Sequence, residues 1–528
     1  MRSFHAPGRS TVVARHAMCA TAHPLASLTA IETLKAGGNA VDAAGAACAV
    51  LCVVEPAMTG IGGDCFAIVA KPGEPLIGLN SAGRAPGAAT VEWFARQGIK
   101  ALEITSPHAV LVPGAIAGWT RLVADHGRLT MDRLLTPAIE LAEKGFAVAP
   151  RVAFDWNRGR AKLERQASAR RHFLPDGRPP KLGEVMRLPA LAKTLRGIAE
   201  FGRDAFYRGA VAADLVGELQ RLGGLHALED FASQQPAYVT PISVVYKGVE
   251  LVEMPPSNQG IVALMLLKMM EKLGPSAEGP GSAERHHLLC EAARLAYAAR
   301  DAFLADPDQA KVPLDHMLSD DFIGTLVKRI DRKKRTADLG AVPRPVGSDT
   351  TYLTVVDENG MAVSFINSLF ADFGSGIVGP NSGVVLNNRG MGFSLDPAHP
   401  NVIAPGKRPM HTLVPAMVMK DGKPWLSFGV MGGAFQPTGH VFVLCNMIDY
   451  GLDAQEALDL SRVFFEGSET IIEESLPSGV RAGLEAMGHK IAVREVPWGG
   501  GQIVEFDRVN GVLIGASDHR KDGCALGY

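Results

Sequence analysis

The chain has 528 residues, 47% of them apolar and 20% charged, with a formal net charge of -2. That length suffices for a large buried core, and the near-neutral balance gives no general reason to expect nucleic acid or an anionic membrane as partner. Seven cysteines, at 19, 48, 52, 65, 290, 445 and 524, show neither paired metal spacing nor a disulfide framework, which fits a reducing compartment better than a secreted one. Arg9, Arg15 and His16 interrupt the N-terminus, where no apolar stretch precedes a small-residue cleavage site. A cytoplasmic location is therefore expected, and the longest apolar run, Ala43 to Val54, is shorter than the ~20 residues that span a bilayer.

In chain order, Leu25, Leu28, Ile31 and Leu34 recur at helical spacing, Gly37-Gly38-Asn39 breaks the run, and Ala40 to Val54 reads as a second, small-residue helix. Gly60 to Gly63 leads into Cys65-Phe66-Ala67-Ile68-Val69, a buried strand by composition. The glycines lack the third member of a dinucleotide fingerprint, so a tight turn is expected. Leu79 to Pro86 follows, with Arg84 inside it. From Trp119 to Arg335 the pattern is mostly helical, with Met254 to Gly260 as a loop. His286-His287, near Glu284 and Cys290, has no second ligand cluster and reads as satisfied helix residues. The basic segment Lys328 to Arg335 reads as a solvated loop, and Arg332 to Asp349 has no helical or strand period.

A strand begins where that loop ends. Thr350-Thr351-Tyr352-Leu353-Thr354-Val355-Val356, a turn at Glu358-Asn359-Gly360 and the run Met361 to Ser368 give a strong β-hairpin signal. For an arbitrary Thr the bland reading is that it only opens a strand. The functional reading is that the Asp349–Thr350 bond is cut, so that Thr350 gains a free amine. An α-amino group has an unperturbed pKa of roughly 7.7–8.0, so one residue then supplies nucleophile and base together. Farther on, Pro424 to Phe428 and Gln502 to Phe506 look like core strands, and His440 to Met447 like a helix.

These stretches, with Phe373-Gly374-Ser375-Gly376, Ser382 to Asn388, Gly37 to Ala44, Pro113-Gly114, Lys407-Arg408-Pro409 and Gly432-Gly433, resemble the γ-glutamyltransferase family of N-terminal-nucleophile hydrolases, in the family's order from about residue 10 to the C-terminus. The resemblance implies an α/β, four-layer αββα sandwich of two stacked sheets flanked by helices. It implies self-cleavage into fragments 1–349 and 350–528, the latter of 528 − 349 = 179 residues, folded together as one unit. It assigns Thr350 as nucleophile, Ser368 as the hydroxyl that orients it, and Gly432 and Gly433 as the oxyanion hole, where bare backbone N–H groups approach the tetrahedral intermediate. No cofactor or metal is implied, and a dimer of αβ units is left open.

The pocket departs from the family's pattern. Phe370 stands where the family has an Asn, and Arg389 and Gly392 replace a Gln and the Asp that binds the substrate's α-ammonium. His411-Thr412 replaces a serine pair, and the segment from Ser394 to Lys407 is short, which implies a more open site. A buried ammonium without its carboxylate is strongly disfavoured, whereas a guanidinium favours a carboxylate through a bidentate pair. The family's carboxylate-binding arginine aligns with Ala82; Arg84, two residues later, either reaches the same carboxylate from the same strand face or is a solvated arginine. The pattern is similar to the branch holding oxamate amidohydrolases and some cephalosporin acylases, and implies hydrolysis of an amide whose acyl part bears a carboxylate but no α-amino group. The rivals are a genuine γ-glutamyltransferase or glutathione hydrolase, and a non-catalytic binding protein retaining the fold.

Overall fold

The computed structural model describes residues 8–337 and 349–528. Most of the loop expected between Arg332 and Asp349 lies outside the described residues. Asp349 itself is the first residue of a strand rather than the last of a loop.

Among the described residues, fourteen strands build two large sheets. In chain order they are β1 (Val12–Ala14), β2 (Met18–Thr21), β3 (Asp64–Ala70), β4 (Ile77–Ser81), β5 (Ala237–Val239), β6 (Ile242–Tyr246), β7 (Val249–Glu253), β8 (Asp349–Val356), β9 (Ala362–Phe370), β10 (Ala416–Lys420), β11 (Lys423–Met431), β12 (Gly500–Asp507), β13 (Val512–Ser517) and β14 (Cys524–Gly527). One sheet runs β1-β13-β12-β11-β10-β7-β6 and the other β14-β2-β8-β9-β3-β4-β5, every pairing antiparallel. The hairpin around Asn359-Gly360 is β8–β9, at the centre of the second sheet. The sequence reading of Trp119 to Arg335 as mostly helical passed over β6–β7, a hairpin turned by Lys247 and Gly248, both at positive φ.

Alternation along β8 explains the layering. Tyr352 and Val356 join Phe66, Ile366, Met417 and Val504 in an apolar layer between the sheets, while Leu353 and Val355 point outward into a helix-covered core. That outer core is closed by α1 (Pro24–Lys35), α2 (Ala40–Val54), α3 (Ala115–His126) and α4 (Met131–Lys144). The other sheet is covered by α5 (Gly260–Leu273), α6 (Ala283–Phe303) and α7 (Gln436–Tyr450). The result is a mixed α/β sandwich with helices on both outer faces. Helix α2 is nearly all buried and small-sided, and its start is fixed locally: Asn39 Oδ1 accepts from the N–H groups of Val41 and Asp42, and Asp42 accepts from Asn39 N–H. Among the described residues no helix is long and apolar enough to cross a membrane.

Candidate active site

Thr350 lies on the face of β8 that looks toward the other sheet, with 1% of its surface exposed. Asp349 pairs with Phe370 and Thr351 with Asn367, so Ser368 and Leu369 together oppose Thr350 in a β-bulge. Bulges re-aim side chains next to active sites. Here the bulge turns Ser368 toward Thr350, whose Oγ1 donates to Ser368 Oγ at 3.1 Å. Phe370 N–H donates to the same oxygen at 2.8 Å, and Arg389 Nη2 donates to it at 3.3 Å. The hydroxyl expected to orient the nucleophile is thus itself fixed from two other directions.

Arg389 is fully buried. Its Nη1 donates to Thr412 Oγ1 at 2.7 Å, its guanidinium lies 4.4 Å from the centre of the Phe370 ring, and Nε stands 3.8 Å from Asp64 Oδ2 without a hydrogen-bond partner among the described residues. Burial pulls its pKa down to about 10, against the raising effect of Asp64, so it stays cationic at neutral pH. Asp64 is already served by other donors: Gly83 N–H at 2.8 Å and Gly114 N–H at 3.2 Å on Oδ1, and His411 Nε2 at 3.0 Å on Oδ2. Leu413 N–H donates to His411 Nδ1, which leaves the imidazole proton on Nε2. Burial, reinforced by Arg389, lowers the His411 pKa to about 4, so the ring is neutral.

Gly432 and Gly433 make the bend between β11 and α7, both at positive φ, 126° and 58°. A Cβ on Gly432 would come within 3.0 Å of the Gly499 backbone. The bend is tied to the rest of the site by Gln259, whose Nε2 donates to Gly433 O and to Thr412 O, each at 2.9 Å. Gln259 Oε1 accepts from Arg300 Nη1 at 2.8 Å. A continuous run of contacts therefore joins Gly433, Gln259, Thr412, Arg389, Ser368 and Thr350.

A cleft of about 230 Å³ opens beside these residues, walled by Phe370, Thr412 and Ala434 together with Arg300, Asp301, Leu304, Met391 to Ser394, His399, Asn401 and Met410. Thr350, Ser368, Phe370, Arg389, His411, Thr412, Gly432 and Gly433, all singled out from sequence, are thus gathered at one place. Arg84 is not gathered with them: Nη1 donates to Gly406 O at 2.8 Å and Nη2 faces Asp308 at 3.4 Å, at a partly exposed position off the cleft wall. Phe370, at φ 88°, is on the cleft wall and its ring touches the Arg389 guanidinium, which is not itself on that wall. Sequence reasoning missed Asp64, Gln259, Arg300 and Asp301. Asp64 had one signal, an acid opening an otherwise apolar strand; Arg300 and Asp301 end a helix whose stripe gives no hint of a cleft. His287 is a satisfied helix residue, bonding His489 and Asp331 O, and His286 is a buried helix residue stacked on Phe442. Among the described residues no group of three or more His, Cys, Asp or Glu is arranged to hold a metal ion.

Two stacked antiparallel sheets between helices, with a buried hydroxyl pair opening a central strand, define an N-terminal-nucleophile hydrolase architecture. The family model for gamma-glutamyltranspeptidase matches residues 26–528, and the chain belongs to that family. It is 34% identical to the glutathione hydrolase-like YwrD proenzyme of Bacillus subtilis over 98% of this chain and 99% of that protein. It is also 34% identical to the oxamate amidohydrolase proenzyme of Klebsiella pneumoniae, over 98% and 100%. Cephalosporin acylase from Bacillus halodurans superposes with a TM-score of 0.92 at 38% identity, covering 100% of this chain and 99% of that one. The protein is an enzyme of the amidohydrolase and acyltransferase kind.

Proposed function

We propose that this chain is a self-cleaving, Thr-dependent amidohydrolase acting on amides whose acyl part carries a carboxylate but no α-amino group. The observation that carries the reading is the buried Arg389 guanidinium, which touches the Ser368 hydroxyl that Thr350 also meets. Its nearest internal anion, Asp64, lies 3.8 Å from Nε, which has no hydrogen-bond partner among the described residues, so the guanidinium keeps an N–H donor for an incoming carboxylate. The relatives named as oxamate amidohydrolase and cephalosporin acylase agree in kind.

Cleavage before Thr350 gives fragments 1–349 and 350–528, in line with relatives named proenzymes. The freed α-amine takes the Thr350 Oγ1 proton as that oxygen attacks the amide carbon. The tetrahedral oxyanion is received by the N–H groups of Gly432 and Gly433. Collapse breaks the C–N bond, the amine leaves with the shuttled proton, and water resolves the acyl-enzyme. Arg389 clamps the acyl carboxylate once the Phe370 ring swings aside, with Thr412 and His411 holding its position. The free state of all seven cysteines supports a cytoplasmic location.

Intact-mass measurement of the purified protein tests the first half: two fragments with masses meeting between residues 349 and 350, and a single chain for Thr350→Ala. An unbroken wild-type chain, or a break elsewhere, overturns the reading and favours a binding protein. Turnover of a γ-glutamyl anilide at rates matching a glutaryl or oxamate-like amide would instead favour a genuine γ-glutamyltransferase.

A further inference from the structure

The cleft wall carries six polar side chains, and the fold already uses nearly all of their polar atoms. Thr412 Oγ1 accepts from Arg389. His399 donates from Nε2 to Asp301 O and accepts Asn401 N–H on Nδ1. Asn401 donates to Gly392 O and accepts from Met410 N–H, and Ser394 Oγ accepts from Asp396 N–H. Arg300 places Nε and Nη2 on Asp301 Oδ1, at 2.7 and 2.6 Å, and Nη1 on Gln259. The exception is Asp301 Oδ2, which is buried and has no hydrogen-bond partner among the described residues.

A buried carboxylate oxygen without a donor is costly to keep, and this one belongs to a residue on the cleft wall. Arg300 gives its charge to the other oxygen of the same carboxylate, so the guanidinium is not available to an incoming anion. Leu304, Met391, Phe393 and Met410 supply apolar wall around it. Arg389, by contrast, is off the wall and lies against Phe370, which is on it. The place for an anion, at Arg389, is therefore separate from the place for a donor, at Asp301 on the wall.

We propose that Asp301 Oδ2 receives a hydrogen-bond donor, best a cationic one, carried on the amine side of the amide, so that the preferred leaving amine joins an apolar body to an ammonium. The inference rests on the amidohydrolase reading above. It extends that reading from the acyl half to the leaving group.

Two glutaryl anilides make the test, one with a para-aminomethyl group, cationic at pH 7, and one with a para-methyl group. With processed wild-type enzyme, kcat/KM for the cationic anilide is expected to exceed that for the neutral one by about 10-fold, as suits a hydrogen bond to a charged group. Asp301→Asn and Asp301→Ala should bring that ratio to within about twofold, through a larger loss on the cationic anilide than on the neutral one. Equal losses on both anilides would mean that Asp301 acts only by holding Arg300 on Gln259, and would overturn the proposal, as would a wild-type ratio near one. Should the processed enzyme hydrolyse neither anilide, the acyl assignment fails. Calorimetric affinities of 4-(aminomethyl)aniline and p-toluidine then decide: preference for the first, lost in Asp301→Asn, supports the docking point, and equal affinities sink it.

Discussion

At the scale of single residues, Arg389 is where sequence and geometry bear hardest on each other. The carboxylate nearest this guanidinium, Asp64, lies 3.8 Å from Nε, which has no hydrogen-bond partner among the described residues, and a substrate carboxylate would supply one. Arg389→Ala is expected to raise KM for a glutaryl amide by at least about 10-fold, as loss of a charge-assisted pair implies, with the cleaved fraction on a denaturing gel unchanged. Unchanged KM would remove Arg389 from the pocket. The exchange at 389 was legible because motif order fixed its position along the chain. The Phe370 ring over it was not, because a stacking contact between residues 19 positions apart (389 − 370) depends on tertiary placement. Arg84 shows the same limit: strand parity allowed it to reach the carboxylate, but only the fold reveals Gly406 O and Asp308 as its partners.

Among the elements, the β8–β9 hairpin and the β3 strand beside it set the position of Ser368. Ser368 pairs with Asp64 across β9 and β3, and the glycine just before β3 makes that approach possible. A Cβ on Gly63 would lie 2.1 Å from Ser368 O, backbone against side chain with no room to yield. Gly63→Ala should therefore push the strands apart at the bulge and abolish the break at residue 350, measured by intact mass, while far-UV circular dichroism stays near wild type. Full processing of that variant would show that the bulge tolerates displacement. The hairpin was legible because Asn359-Gly360 sits between alternating β-formers. The bulge was not, since it arises from a register mismatch that neither strand signals alone. The β6–β7 hairpin carried a readable turn at Lys247-Gly248, lost among the helical stripes on either side.

For the molecule as a whole, buried imidazoles set the acid limit. His23, His226 and His411 are pulled down to about 4 and His286 to about 3, in each case chiefly by burial. The unfolded chain, with imidazoles near 6.5, binds more protons than the folded one between that value and about 4. Their contribution is complete above 6.5 and is lost as pH falls through that window. Glu55, pushed up to about 8 by burial, acts in the opposite sense between its ordinary value and that pH, as do Glu253, Glu505 and Asp522, also raised by burial, but the lowered imidazoles, which include His108, His126, His172 and His489 as well, outnumber these carboxyls. The urea midpoint should be lower at pH 4.5 than at pH 7.5; equal midpoints would contradict the buried, neutral state of these rings.

The interleaving of strands carries a consequence for any chain severed ahead of Thr350. Each sheet draws strands from both sides of that bond: β1 and the β6–β7 pair flank the block β10 to β13, and β2 and the run β3 to β5 flank β8–β9, with β14 outside β2. Only the Asp349–Phe370 rung lies upstream of the break, whereas residues 351 to 356 remain zipped to β9 and the end of β8 to β2. Neither piece synthesised on its own could complete a single sheet, and each would present raw strand edges prone to clumping. Translation as one polypeptide is thus the folding template, and the two products should melt together in one cooperative event.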